Sequence, residues 1–198
     1  MTISISCQTP AVPDLDLALD VPLDLVMTLR PLVRGQGDRT IRLATGTALW
    51  TTRTQVGPAT LHFRQRGDRL LVDAYGPGAE LAMADGRAER LVGVDGASSG
   101  LADLIGHDDA RIDRLARRFR GVRLTRSEAV LDALIPAILE QKVTGAEARR
   151  AWQGLVRAHG EDAPGPAALI AGLRVAPAPG VLAALPYYAY HPFGIEQR

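Results

Sequence analysis

The local residue composition of this 198-residue sequence changes at Gly76-Pro77-Gly78, and this change limits the folds that the chain can adopt. Before it, short runs of β-branched and aromatic residues are separated by turn residues. After it, the helix formers Ala, Leu, Arg and Glu dominate. Strands followed by helices, without strand–helix–strand alternation, predict an α+β protein: an N-terminal antiparallel β-sheet followed by an all-helical region.

The clearest local pattern is a β-hairpin formed by residues 59–66 and 69–75. The two runs flank Gly67-Asp68, a glycine-first pair typical of two-residue hairpin turns. Leu61 and Phe63 share one face of the first strand, which predicts a sheet with one buried side. Further strands are predicted at 23–29, 40–44 and 48–54.

The same patterns suggest three segments along the chain. Residues 1–20 contain two prolines and little periodicity, so we expect a flexible N-terminal tail. Residues 21–92 are predicted to form the antiparallel sheet domain with a closing helix, and residues 93–198 the helical domain. Within the latter, residues 109–120 form a helix with five arginines on its outer face. These arginines suit either a solvated surface or a phosphate-facing patch.

Composition narrows the class of protein. The formal net charge is only +1, so any basic surface must be local. Cys7 is the single cysteine, and the four histidines show no metal-ligand spacing, so we expect no disulfide and no metal site. The sequence has neither an apolar run long enough for a membrane span nor a signal-peptide pattern. We therefore expect a soluble, cytoplasmic protein without a membrane partner.

Residues 124–159 predict two consecutive helices joined at Val143-Thr144-Gly145. Capping boxes are predicted to open both helices, at residues 125–128 and 144–147. The first helix has a wide apolar stripe, so we expect it to be the most buried helix of the chain. Pro136 lies inside it and should bend its axis.

The amino-acid sequence of this interhelical turn is the feature that indicates a function. Ala137-Ile138-Leu139-Glu140-Gln141-Lys142-Val143-Thr144 resembles the segment A-I-x-x-Q-x-V-[ST] of helix-hairpin-helix DNA glycosylases, in particular the branch that excises 3-methyladenine. Residues 120–124, 173–177 and 185–195 are similar to three further motifs of that branch, in the same order. The resemblance spans about residues 21–198, including the N-terminal sheet.

The resemblance implies how such a chain meets its substrate. Members of the family bind double-stranded DNA, kink it and flip the damaged nucleotide into a pocket, without metal or cofactor. Carried over, Gln141, Lys142, Val143 and Thr144 would be the DNA-binding residues, with Lys142 at the position of an apolar wedge. The stem of Lys142 could insert while its ammonium reaches a phosphate. The plain alternative is that Gln141 and Lys142 simply end a helix.

The sequence departs from the family at the catalytic centre. The family's L-P-G-[IV]-G hairpin is missing, and its nearest match, at Pro179-Gly180-Val181-Leu182, lacks the second glycine. Beyond Asp162 the only acidic residue is Glu196, so no residue is assigned as the catalytic Asp. We expect a C-terminally truncated member, nucleoid-associated if it binds DNA and inactive in base excision by itself. The alternatives are a non-catalytic DNA-binding or scaffold protein of that fold, and a generic α+β module.

Overall fold

The structure is a computed structural model that describes residues 14–20, 22–96, 100–141 and 143–195. A five-stranded antiparallel sheet in the order β1-β5-β4-β3-β2 forms its N-terminal part. Its strands are β1 (Leu15–Ala18), β2 (Ile41–Ala44), β3 (Thr47–Arg53), β4 (Pro58–Arg66) and β5 (Arg69–Tyr75). The predicted α+β class is confirmed.

The predicted hairpin is confirmed as β4 and β5. Arg66 and Arg69 are the last paired residues before the turn, where Gly67 adopts a left-handed conformation with φ of 60°. Leu61 and Phe63 are fully buried, while His62 and Arg64 lie on the other face and are partly exposed. The alternation of the sequence therefore sets which face of this hairpin enters the core.

The prediction of a loose tail over residues 1–20 is wrong for its last part. Residues 15–18 form β1, which pairs with β5 so that Leu15 faces Val72 and Leu17 faces Leu70. Alternate leucines pack against the core while Asp16 stays at the surface, where it pairs with Arg69. A four-residue edge strand carries too weak a periodicity to predict without its partner. Residues 1–13 lie outside the described residues.

The strand predicted at 23–29 is also wrong, because Leu25–Leu29 forms the helix α1. The carboxylate of Asp24 accepts a hydrogen bond of 2.9 Å from the Met27 amide, which caps the first turn. Leu25 and Leu29, four residues apart, both enter the core. The cap and the i,i+4 leucine pair outweigh the β-propensity of the run.

The helical part follows the sheet and its bounds are α2 (Ala79–Met83), α3 (Arg87–Val92), α4 (Ala110–Arg118), α5 (Val130–Leu139), α6 (Gly145–His159), α7 (Pro166–Ile170) and α8 (Pro179–Ala184). Short 3-10 turns lie at Arg30–Leu32, Ala84–Gly86, Gly100–Leu104 and Tyr187–Phe193. The closing helix predicted at the end of residues 21–92 is interrupted at Gly86, which is left-handed with φ of 70°. No helix in the described ranges has the length and hydropathy needed to span a bilayer.

The two faces of the sheet pack against different parts of the chain. One face buries Leu61, Phe63 and Val72 against α1, α2 and α3. The opposite face buries Leu49 against Ala163, Leu173 and Val175, next to the two-stranded ladder of β6 (Glu161–Asp162) and β7 (Arg174–Val175). The Thr51 hydroxyl also donates to the Arg174 carbonyl at 2.8 Å. The C-terminal segment is thereby fixed to the sheet.

The first of the two predicted capping boxes does not form. The Thr125 hydroxyl donates instead to the Leu91 carbonyl at 2.6 Å. Glu128 has a left-handed backbone, with φ of 53°, and forms ion pairs with Arg90 and Arg87. As a result α5 begins only at Val130, without a side-chain cap. Tertiary partners on α3 draw away both residues of the box.

The prediction that α5 is the most buried helix is wrong. Pro136 is its single fully buried residue, while Val130, Leu131, Leu134 and Ile138 are 43 to 71% exposed. Ile135 and Leu139 pack on Trp152 and Val156 of α6. The apolar stripe is wider than the surface that α6 covers, and its outer half faces solvent.

Candidate nucleic-acid interface

The turn between α5 and α6 is built by hydrogen bonds at both helix ends. The Gln141 amide donates to the Ile138 carbonyl at 3.1 Å and closes the last turn of α5. The Thr144 hydroxyl accepts from the Glu147 amide at 3.3 Å, and the Glu147 carboxylate accepts from the Thr144 amide at 2.9 Å. The second predicted capping box is thus confirmed.

Glu147 is fixed in its ionised form by this capping arrangement. Its pKa is lowered by the hydrogen bonds from the Thr144 amide and hydroxyl. The negative charge also lies in the first turn of α6, where the helix dipole favours it. Glu147 therefore stabilises the turn and is unsuited to giving or taking a proton near neutral pH.

The predicted DNA-binding residues of this turn are accessible. Gln141, Val143 and Thr144 are all exposed, Val143 to 42%. Lys142 lies outside the described residues. The structure therefore brings three of the four predicted residues together at the surface. Thr144 is in addition the N-cap residue of α6.

Beside this turn lies an open groove of about 1300 Å³. Helix α6 lines the groove together with the end of α5. Residues Pro192 to Ile195, at and after the end of the segment Tyr187–Phe193, complete the lining. Apolar and polar side chains share the lining: Ile138, Gln141, Val143, Ala148, Ala151, Arg150, Arg157, Phe193 and Ile195. Sequence reasoning missed Arg150 and Arg157, although their spacing of seven places both on one face of α6.

Glu147 is the one carboxylate among the described residues that line the groove. The nearby aromatic residues serve structural contacts: Phe193 meets His159 edge-on at 5.8 Å, and the Tyr190 hydroxyl donates to the Leu182 carbonyl. Tyr187 and Tyr188 are more than half exposed. The described residues thus give the groove amide and guanidinium groups. The one carboxylate among them, Glu147, is already held by the capping box.

Asp132 of α5 is a carboxyl group that sequence reasoning did not single out. Burial raises its pKa to about 6, although the Thr52 hydroxyl bond of 3.1 Å and the charge of Arg53 oppose the shift. It adjoins a cavity of only about 30 Å³ lined by Trp50 and Trp152. That volume suits water and excludes a nucleobase. No local pattern around Asp132 predicts this environment, because the sheet residues that surround it are distant along the chain.

His62 belongs to a second titratable cluster, on the sheet. Its ring is 3.1 Å from the Thr47 hydroxyl and 3.8 Å from the buried carboxylate of Asp73, and burial lowers its pKa. Arg64 holds Asp73 through two hydrogen bonds, and the Thr47 hydroxyl donates to the Phe63 carbonyl. Because Asp73 and Thr47 are both engaged elsewhere, the cluster is not arranged as a nucleophile with its base.

In the described ranges, no three His, Cys, Asp or Glu side chains converge. No family model matches the sequence, and a search of curated proteins also found no match.

Solved structures of DNA glycosylases resemble the fold. A 3-methyladenine DNA-glycosylase from Archaeoglobus fulgidus matches 92% of this chain with a TM-score of 0.71 and 12% sequence identity. MBOgg1, solved in complex with a low-affinity DNA ligand, matches 90% of this chain with a TM-score of 0.63 and 13% identity. This chain covers 62% and 56% of those two proteins, less than two thirds of either. The chain therefore has a DNA glycosylase-like α+β fold.

Proposed function

We propose that this chain is a DNA-3-methyladenine glycosylase-like protein of base-excision repair that contacts double-stranded DNA through the α5–α6 turn and does not excise bases by itself. The observation that carries the proposal is the α5–α6 turn, whose described residues Gln141, Val143 and Thr144 are exposed beside an open groove, within a glycosylase-like fold. Such a protein acts in the cytoplasm on the nucleoid and needs no cofactor.

The chemistry of the turn suits a nucleic-acid contact. The Gln141 amide can donate and accept hydrogen bonds, and a lysine at 142 can neutralise a phosphate. Val143 supplies an exposed apolar surface between these polar groups and the cap at Thr144. The capping box gives the turn a fixed backbone, so little conformational entropy is lost when it binds.

The carboxylates near the turn support the proposed lack of excision. Hydrolysis of an N-glycosidic bond needs a fixed negative charge beside the oxocarbenium-like sugar. Among the described residues, Glu147 is tied into the cap and Asp132 borders a cavity too small for a base. Neither carboxylate can take the catalytic position in the arrangement described.

The second candidate is a non-catalytic DNA-binding or scaffold protein derived from this fold. The observation that favours it is the groove lining, where apolar residues and arginines replace an available acid. The two candidates differ in their preference for damage. A glycosylase-like protein binds duplexes with an alkylated or abasic nucleotide more tightly than undamaged duplexes, whereas a scaffold protein binds both equally.

Fluorescence anisotropy with labelled duplexes at several salt concentrations tests the proposal. We expect salt-dependent binding, weakened by Gln141→Ala about two- to tenfold, as for one lost hydrogen bond. Lys142→Ala should lower the slope of log K against log salt by about 0.9, the value for one phosphate contact. Gln55→Ala, a change at an exposed turn of the sheet, is the matched control. Unchanged binding by both turn variants would contradict the assignment.

A further inference from the structure

The seven arginines between residues 111 and 126 divide into two groups. Four have partners that fix them to the protein: Arg111 pairs with Asp109, Arg117 with Asp113, Arg126 with Asp95, and Arg123 is buried and donates to the Pro22 carbonyl. Carboxylates therefore offset the charges of Arg111, Arg117 and Arg126 at the surface, while Arg123 is buried.

The other three, Arg114, Arg118 and Arg120, are exposed and have no carboxylate partner among the described residues. Arg114 and Arg118 are four residues apart on α4, which places their side chains about 6 Å from each other on one face. Ala116, on the opposite side, is the buried residue of the helix. The Arg118 guanidinium lies 5.2 Å from the centre of the Phe119 ring, which restrains it near the helix end.

The nearby acids offset this charge only in part: Asp103 and Asp108 are exposed just before α4, and residues 100–120 contain five arginines and four aspartates. Asp109 and Asp113 are engaged by Arg111 and Arg117, and Asp113 also accepts a hydrogen bond from the Gly106 amide. Residues 109–120 contain five arginines against these two aspartates, so the segment keeps three positive charges. The whole chain has a formal charge of only +1, which makes α4 a local basic surface on a nearly neutral protein.

The composition of this surface points to one class of polyanion. Arginine binds phosphate oxygens through two parallel N–H groups. A membrane-surface helix would need a broad apolar face, yet Leu115 is the one large apolar residue of α4 that is mainly exposed. We propose that Arg114, Arg118 and Arg120 form a second DNA-contact surface that binds backbone phosphates. This inference rests on the proposed DNA-binding function and extends it beyond the α5–α6 turn.

The test is the salt dependence of duplex binding by an Arg114→Gln/Arg118→Gln/Arg120→Gln variant. Glutamine retains helix propensity, so α4 should stay folded, as checked by circular dichroism. Three lost phosphate contacts would lower the slope of log K against log salt by about 2.7 and the affinity at about 0.1 M salt several-hundredfold. A slope reduced by one or two units would still support the surface, with fewer contacts.

The control variant Arg30→Gln/Arg42→Gln/Arg66→Gln removes three exposed arginines from elsewhere. An equal slope change in both variants would mean that net charge alone matters, and would overturn the inference. Lower stability with an unchanged slope would also overturn it, since the arginines would then serve only the helix dipole. Loss of binding to anionic vesicles without loss of DNA binding would identify a membrane as the partner and refute it.

The two DNA proposals fail separately. If the arginine variant lowers the slope while the Gln141 and Lys142 variants change neither the affinity nor the slope, α4 is a contact surface and the turn is not. The reverse result retains the turn and eliminates α4. A wild-type chain that binds no DNA at any salt concentration refutes both.

Discussion

Replacing Asp132 with Asn should stabilise the protein at neutral pH. The carboxyl group lies where burial raises its pKa from 3.8 to about 6, so the folded protein favours the neutral form. At about 1.36 kcal/mol per pH unit, this shift corresponds to about 3 kcal/mol. Asp132 remains partly exposed, and solvent screening reduces the expected gain to about 2 kcal/mol. An Asn side chain can still accept the bond from the Thr52 hydroxyl.

The pH window follows from the direction of the shift. Below about pH 3, Asp132 is protonated in the folded and unfolded states, so the wild type and Asp132→Asn should have similar free energies of unfolding. Between pH 4 and pH 6 the unfolded state releases the proton first, and the wild type loses stability relative to the variant. Above about pH 7 the difference should stay constant near its full value.

Urea unfolding at half-unit intervals from pH 4 to pH 8 measures this difference directly. Asp108→Asn, at an exposed residue, is the control and should change the free energy of unfolding by less than about 0.5 kcal/mol. Subtracting the wild-type curve removes the opposite contribution of His62, whose pKa is lowered by burial. A difference that is flat or that decreases with rising pH would refute the environment described for Asp132.

Three further predictions concern the turn, the exposed face of α5 and a glycine contact. Thr144→Ala should cost about 1 kcal/mol in urea unfolding because the capping bond of α6 is lost; a neutral result would exclude the cap. The wild type should bind a hydrophobic fluorescent dye, and Leu134→Ser with Ile138→Ser should lower the signal without lowering the Tm; no change in fluorescence would contradict the exposure of α5. Gly93→Ala should destabilise by about 2 kcal/mol or more, because Gly93 has φ of 66° and a Cβ there would lie 2.7 Å from the Leu124 carbonyl; an unchanged unfolding midpoint would contradict this contact.

The sequence predicted best those features that local chemistry determines. The β4–β5 hairpin needs only its alternation and the turn at Gly67, and the α6 cap needs only Thr144 and Glu147, three residues apart. Strand β1 and helix α1 were missed because each contains few residues. In segments that short, a single interaction determines the secondary structure: the pairing with β5 for β1, and the cap at Asp24 for α1.

The remaining errors have a common cause in distant partners. The box at Thr125 and Glu128 has the required residues, yet Leu91 and Arg90 on α3 bind them instead. The stripe of α5 shows what that helix could bury, and a sequence pattern alone cannot supply the surface that covers it. The environment of Asp132 likewise depends on Thr52 of the sheet, 80 residues away. These features emerge only when α3, α5 and the sheet are placed together.

The fold and the candidate site were predictable to different degrees. The change in residue composition at Gly76-Pro77-Gly78 predicts the α+β class. The order of the motifs along the chain indicates the resemblance to DNA glycosylases. The engagement of Glu147 by the cap and the groove beside Gln141 depend on three-dimensional arrangement. In the same way, three-dimensional arrangement decides that Arg114 and Arg118 have no carboxylate partner in the part of the chain that the structure describes.

We propose that this chain contacts duplex DNA through the α5–α6 turn without excising bases. The most direct test combines both properties in one sample: salt-dependent binding of the purified chain to a duplex carrying 3-methyladenine, followed by measurement of released base. We predict binding that Gln141→Ala and Lys142→Ala weaken, with no base release above the spontaneous rate. Base release by the purified chain would contradict the claim, as would binding that ignores both substitutions.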